Sequence, residues 1–398
     1  MLGQAPKFGA SESPGAVVGQ KRLKAVFMRG GTSKGLVFHI GDLPARAEWD
    51  GIFLAAMGSP DPYVRQLDGM GGGVSSLSKV CVVGPASVPG ADIDYTFAQV
   101  SVTDRTVDYA GNCGNMSSAM GPFAIDEGLV PRPPDGEAIV RIHNTNTGKI
   151  IAAHIQVRDG EAEVGGDFEL DGVAGSAAPI RLDFLEPGGA KTGRLLPTGQ
   201  AIDRIEVPGF GVVEASIVDA ANPFVFVLAE ALGASGTELP KTIAANAVLQ
   251  GRLEQIRLRA SVLMGLAATL EEAAAIISLP KVAMLSAPGP SPTLSERVLQ
   301  ADETDLMARA ISVGQPHNAI PLTGALCLAV AARTPGTVAN RIVGDSGGAA
   351  IRIGHPSGTI TVDADVVVEA GQAHARSACV YRSARRLFAG EVYVSQST

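Results

Sequence analysis

The sequence predicts an α+β fold of two pseudo-repeated domains, each rich in strands and holding one buried helix. Three observations carry that expectation. Glycine is abundant, 48 of 398 residues, and valine-rich alternating stretches recur between turns, the pattern of many strands and few long helices. Residues 116–125 and 325–332 are small and apolar on nearly all sides, as a fully buried helix is. A strand, loop, strand order at residues 24–40 returns at 214–228.

Composition narrows the classes. A chain of 398 residues is too long for one ordinary core, and 46% hydrophobic against 18% charged residues marks it as globular. A net charge of −8 without any basic run excludes a nucleic-acid partner. No apolar run reaches membrane length, because Glu271 and Glu272 interrupt the best candidate. Cys81, Cys113, Cys327 and Cys379 are far apart with no CxxC pair, which suits a reducing cytoplasm. Residues 1–20 are rich in Gly, Pro, Ser and Ala and read as a flexible extension lacking a signal-peptide core.

Taken in order, Lys24–Met28 and Leu36–Ile40 read as strands around a polar loop, Arg29-Gly30-Gly31-Thr32-Ser33-Lys34-Gly35. Glycine for close approach and Arg, Thr, Ser and Lys as donors suit oxyanion recognition. Gly31-x-Ser33-x-Gly35 also fits the serine-hydrolase elbow, but a strand follows where that motif needs a helix. A short helix is expected at Glu48–Met57, then Gly-rich turns up to Ser75-Ser76-Leu77-Ser78-Lys79 and a strand at Val80–Val83. Gly69-x-Gly71 lacks the third glycine of a dinucleotide fingerprint. Ser76-x-x-Lys79 lacks the companion motifs of penicillin-binding enzymes. Lys79, wedged between turns and an apolar strand, reads either as a desolvated amine or as an ordinary surface charge.

The chain is organised around Gly111-Asn112-Cys113-Gly114-Asn115, where a strand ends and the first buried helix begins. A helix start offers unpaired N–H groups and partial positive charge, which attract anions and favour a thiolate. Cys113 is therefore read as a reactive sulfur at a carboxylate-binding turn; the alternative is a small core residue. Ala138–His143 and Lys149–Val157 look like a hairpin, and a domain boundary is placed after residue 157. In the second half, Asp219–Pro223, with Asn222, is expected as a polar loop, Ile243–Leu270 as mostly helical, and Asp305–Ser312 as a short helix. A second buried helix begins at Thr323-Gly324, so two helix starts would face one cleft. The six histidines show no ligand spacing, and no metal is predicted. His317 and His355 lie in polar loops, either as substrate contacts or as ordinary hydrogen-bonding residues.

As a set, Met28–Gly35, Gly58–Tyr63, Asp68–Gly72, Ser75–Lys79, Gly111–Asn115, Gly354–Thr359 and Ser383–Leu387 resemble the 2-methylaconitate cis-trans isomerase (PrpF-type) family, relatives of diaminopimelate epimerase. The resemblance runs from about residue 24 to the C-terminus. It implies a diaminopimelate epimerase-like fold of two domains, 21–157 and 158–384, each a curled β-sheet around a central buried helix, with the last strand, about 385–398, returning to the first. It also implies cofactor-independent isomerisation of a small unsaturated di- or tricarboxylate, with Lys79 and Cys113 as the functional pair. Arg29, Gly30, Thr32, Ser33, Lys34, Ser76, Asn112, Gly114, Asn115, Asn222, His317, Thr323, Gly324, His355 and Ser357 are the expected substrate-binding positions. The epimerase's second cysteine falls on Thr323, so two-thiol racemisation is not expected. A serine hydrolase using Ser33 or Ser76, and a carboxylate-binding accessory protein, are the rival expectations. A homodimer is the default assembly.

Overall fold

The computed structural model describes residues 19–109, 112–276, 279–312, 314–344 and 350–395. Most of the expected extension, and Gly111 of the cysteine turn, lie outside them.

The first half begins with an antiparallel hairpin of β1 (Gln20–Gly30) and β2 (Ser33–His39). The polar loop expected between them is only Gly31-Thr32, with Gly31 at φ 51°. Helix α1 (Trp49–Met57) follows, then β3 (Lys79–Pro85), β4 (Ile93–Val100), helix α2 (Gly114–Asp126), β5 (Gly136–Asn144) and β6 (Lys149–Arg158). Neighbouring strands from β1 to β6 pair antiparallel, parallel, antiparallel, parallel and antiparallel.

Strands β7 (Ile180–Leu185) and β8 (Asp203–Val207) lead into the second half. It contains β9 (Gly211–Ala220), β10 (Asn222–Leu228), α3 (Ala247–Leu263), β11 (Lys281–Ser286), β12 (Leu306–Ser312), α4 (Leu322–Arg333), β13 (Ile351–His355) and β14 (Gly358–Glu369). From β9 to β14 the ladder senses repeat those of β1 to β6 in the same order. The buried helix occupies the same crossover, before the fifth strand of each set. That is the pseudo-repeat the two apolar stretches suggested. Strand β15 (Gln372–Arg382) pairs with β14 and β7, and β7 pairs in turn with β6, joining these strands and three two-residue ones into a sheet of nineteen strands among the described residues. The last strand, β16 (Ala384–Ser395), runs antiparallel along β1.

Hydrophobicity on all sides is what buries the two central helices. Every residue from Met116 to Ile125 and from Gly324 to Ala332 is buried, and both helices contribute to one core. Helix α1 covers the outer face of the first sheet through Trp49 and Phe53, the latter stacked on Phe38 at 5.9 Å. Helix α3 covers β8–β11 through Leu249, Leu253 and Ile256.

Two local expectations are corrected. Asp305–Ser312 is not a helix: Leu306–Ser312 is β12, paired with β11 and β13. Its Leu, Met and Ala favour a helix intrinsically, but a strand buried on both faces overrides propensity. The loop at Asp219–Pro223 shrinks to one turn residue, Ala221 at φ 58°, because Ala220 already pairs with Asn222. The stretch Ile243–Leu270 is mostly helical as expected, divided among Pro240–Ala245, α3 and Leu270–Ala275.

A candidate active site between two helix starts

The N-termini of α2 and α4 meet. A Cβ added to Gly114 would lie 2.4 Å from Leu322 Cδ2, so the first residue of α2 packs directly on the first side chain of α4. Ser117 is the first amide of α2, and Ala325 of α4, to bond back along its helix. The amides of Gly114, Asn115 and Met116 therefore have no intrahelical partner, nor do those of Leu322, Thr323 and Gly324. Around this junction lies a cleft of about 990 Å³.

One wall comes from the first half. Lys79 opens β3 and is 7% exposed. Its Nζ donates to Gln99 Oε1 at 2.6 Å and lies 5.0 Å from the Phe97 ring centroid. Gln99 is held in turn, its amide donating to the carbonyls of Ser75 and Ser78 at 3.0 and 2.9 Å. Among the described residues no carboxylate pairs with Lys79. Cys113 is the N-cap of α2 in extended conformation and its side chain makes no capping bond, which leaves the sulfur to the cleft. It is half-buried, whereas Cys81, Cys327 and Cys379 are buried. Burial pushes all three of those thiols up, Cys379 to about 11, so Cys113 is the reachable sulfur.

The opposite wall comes from the segment before α4, the β13–β14 turn and the linker around Asp171. His355 is 6% exposed, and its Nδ1 accepts the Ser357 amide at 3.1 Å. Ser357 Oγ donates to the Asn318 carbonyl at 2.6 Å. Asp171 accepts from the amide and hydroxyl of Thr359, tying linker to turn. Burial pushes His355 down to about 4, with Asp171 opposing and Arg309 and Arg382 reinforcing. The imidazole is thus neutral in the fold while the unfolded chain protonates below its usual 6.5. Stability from this group is present above pH 6.5 and is lost as pH falls towards 4, on the order of 3 kcal/mol in all. Denaturant melts at pH 7 and pH 4.5 should show the drop, and His355→Gln should flatten it.

Of the expected positions, Thr32, Ser33, Ser76 and Asn115 line the cleft beside Lys79 and Cys113; His317, His355 and Ser357 line it opposite. The others have different neighbours. Arg29 donates to the carbonyls of Gly31 and Ser383 and to Ser383 Oγ, and Lys34 Nζ sits 5.6 Å from the Phe27 ring centroid. With a two-residue turn, both are strand residues rather than loop donors. Gly30 makes room for α2: a Cβ there would meet the Asn115 carbonyl at 2.6 Å. Asn112 accepts from Ser117 Oγ. Asn222 donates to Thr323 Oγ1 at 3.2 Å, and Gly324 packs on the Phe224 ring.

Sequence reasoning missed Arg382, Asp171 and Gln99, which come from a strand end, a linker and the next-to-last position of β4, without motif character. It also missed Lys281. That residue opens β11 and pairs with the third residue of β10, as Lys79 stands beside the third residue of β2. Burial lowers its amine, and its charge bears on His317.

The family model described as PrpF protein matches residues 20–395. The 2-methyl-aconitate isomerase of Shewanella oneidensis is 41% identical over 94% of this chain and 97% of its own. The 3-methylitaconate isomerase of Eubacterium barkeri is 43% identical over 95% and 98%. The 4-oxalomesaconate tautomerase of Pseudomonas putida is 38% identical over 96% and 98%. A crystal structure of methylitaconate-delta-isomerase superposes with a TM-score of 0.86 at 43% identity, covering 95% of this chain and 96% of that one.

Proposed function

The chain belongs to the PrpF protein family, and from that premise we infer that it is an isomerase moving a double bond in a small unsaturated tricarboxylate or dicarboxylate. The observation that carries this reading is that Lys79 and Cys113 line one cleft beside two helix starts whose first amides have no intrahelical partner.

Taking a proton from carbon next to a carboxylate creates an enolate-like dianion. A side-chain base reaches that species only if the developing charge meets donors already in place, each worth roughly 3–4 kcal/mol. The starts of α2 and α4 supply such donors from opposite sides. One of Lys79 and Cys113 takes the proton. The delocalised anion then accepts a proton at the far end of the three-carbon unit, and the double bond moves. No cofactor enters this scheme.

The hydrolase alternative lacks a base: neither Ser33 nor Ser76 hydrogen-bonds to a histidine or carboxylate among the described residues, and Lys79 turns to Gln99 instead of Ser76.

Proton NMR of methylaconitate, aconitate, methylitaconate and oxalomesaconate in deuterium oxide tests the reading. Wild-type protein is expected to shift the double bond of at least one acid and to wash deuterium into its allylic carbon. Binding without either change would leave the accessory-protein reading in its place. Gln99→Leu, which removes the anchor of Lys79, should lower kcat by about 10- to 100-fold with little change in KM, measured in steady state on the acid so identified.

A further inference from the structure

Arg382 ends β15 with its side chain 6% exposed, yet it lines the cleft. Its Nε donates to Asn115 Oδ1 at 3.0 Å and its Nη1 to the Tyr381 carbonyl at 2.9 Å. Both acceptors are neutral. Among the described residues Nη2 has no partner and no carboxylate pairs with the guanidinium, which burial lowers to about 10. A charge taken out of water without a counterion costs several kcal/mol, so a protein that keeps one is prepared for an anion. The same guanidinium is close enough to both Cys113 and His355 for their charges to interact.

His355 completes the geometry. Because its Nδ1 accepts the Ser357 amide, a neutral ring carries its proton on Nε2. That nitrogen is a donor in a side chain as deeply buried as Arg382 and on the same cleft, where the Thr359 backbone carbonyl is the protein's own competing acceptor for the ring. The nearby Asp171 carboxylate is already engaged by Thr359.

We propose that Arg382 Nη2 and His355 Nε2–H form one carboxylate subsite of the cleft, which fixes the substrate relative to Cys113 and selects acids carrying a third carboxylate. The subsite deepens the isomerase reading, but its test needs no turnover. The probe is propane-1,2,3-tricarboxylate, which has no double bond to move, compared with glutarate, which lacks its central carboxylate. Calorimetry at pH 7.5 should show wild-type protein preferring the tricarboxylate. Arg382→Ala should weaken its binding by roughly 30-fold or more, while glutarate affinity changes little and the preference collapses. Arg382→Lys keeps the charge without the planar fork and should retain part of the preference; it gives the same comparison if the alanine variant does not fold. His355→Gln, which keeps a donor, should bind more tightly than His355→Leu.

Equal weakening for both acids, unchanged binding in Arg382→Ala, or no wild-type preference would each overturn the subsite. Preferred tricarboxylate binding by a wild-type protein that isomerises nothing would sink the isomerase reading and leave the subsite standing.

Discussion

Lys79→Met and Cys113→Ser are each expected to lower kcat/KM for double-bond movement by roughly 10²- to 10⁴-fold, the range for losing a positioned acid or base. The reason is geometric. Lys79 and Cys113 stand on adjoining elements of the first half and line the same cleft, while Cys81 and Cys327 are buried. No other thiol can stand in for Cys113. Solvent exchange separates the two roles: the variant that has lost the initiating base also loses deuterium wash-in, whereas the other retains exchange while losing net isomerisation. Circular dichroism would confirm folding, since Cys113→Ser changes one half-exposed atom. Full activity in either variant removes that residue from the scheme.

The second large effect is expected from Gly35→Ala. A Cβ on Gly35 would lie 2.3 Å from the Lys79 carbonyl oxygen and 3.0 Å from Lys79 Cβ. Backbone cannot swing aside as a flexible side chain does, so β2 and β3 must separate exactly where β3 presents its lysine. The overpacking should cost about 3 kcal/mol, read as a lower denaturant midpoint. The displaced lysine should cost a further 10- to 100-fold in kcat. Gly251→Ala is the control: nothing lies within 4 Å of its added Cβ, and an exposed position inside α3 should gain about 0.5–1 kcal/mol. A Gly35→Ala enzyme with wild-type stability and rate would show that the β2–β3 spacing is unimportant.

Glycine in this stretch was expected to admit a ligand, and its use here is different. Gly30 and Gly31 seat the hairpin on Asn115 and Gly35 seats it on Lys79, so the glycines hold the chain's own elements together.

The parts of the structure legible in the sequence were those where local pattern and tertiary environment agree. The two central helices were visible because burial on all sides leaves no polar stripe, and Lys79 and Cys113 because each stands where a turn gives way to an apolar element. Arg29 and Lys34 were expected in a loop because nothing local distinguishes a two-residue turn from a longer one. Leu306–Ser312 was misread because its helix-forming side chains are overruled by strands from distant sequence. Arg382 gave no signal at all: the Asn115 amide that holds it and the cleft it lines are brought to it by chain folding from distant sequence.

The pairing of Lys79 with an amide, and of Arg382 with neutral oxygens, has a consequence beyond the chemistry. The molecule as a whole carries a formal charge of −8, so a polyanion approaching from bulk meets overall repulsion. Within a Debye length, about 8 Å at physiological salt, the uncompensated cations of the cleft replace that far field with a local attraction. Capture of an acid should therefore be decided at the mouth of the cleft, with salt affecting the long approach and the final entry in opposite directions.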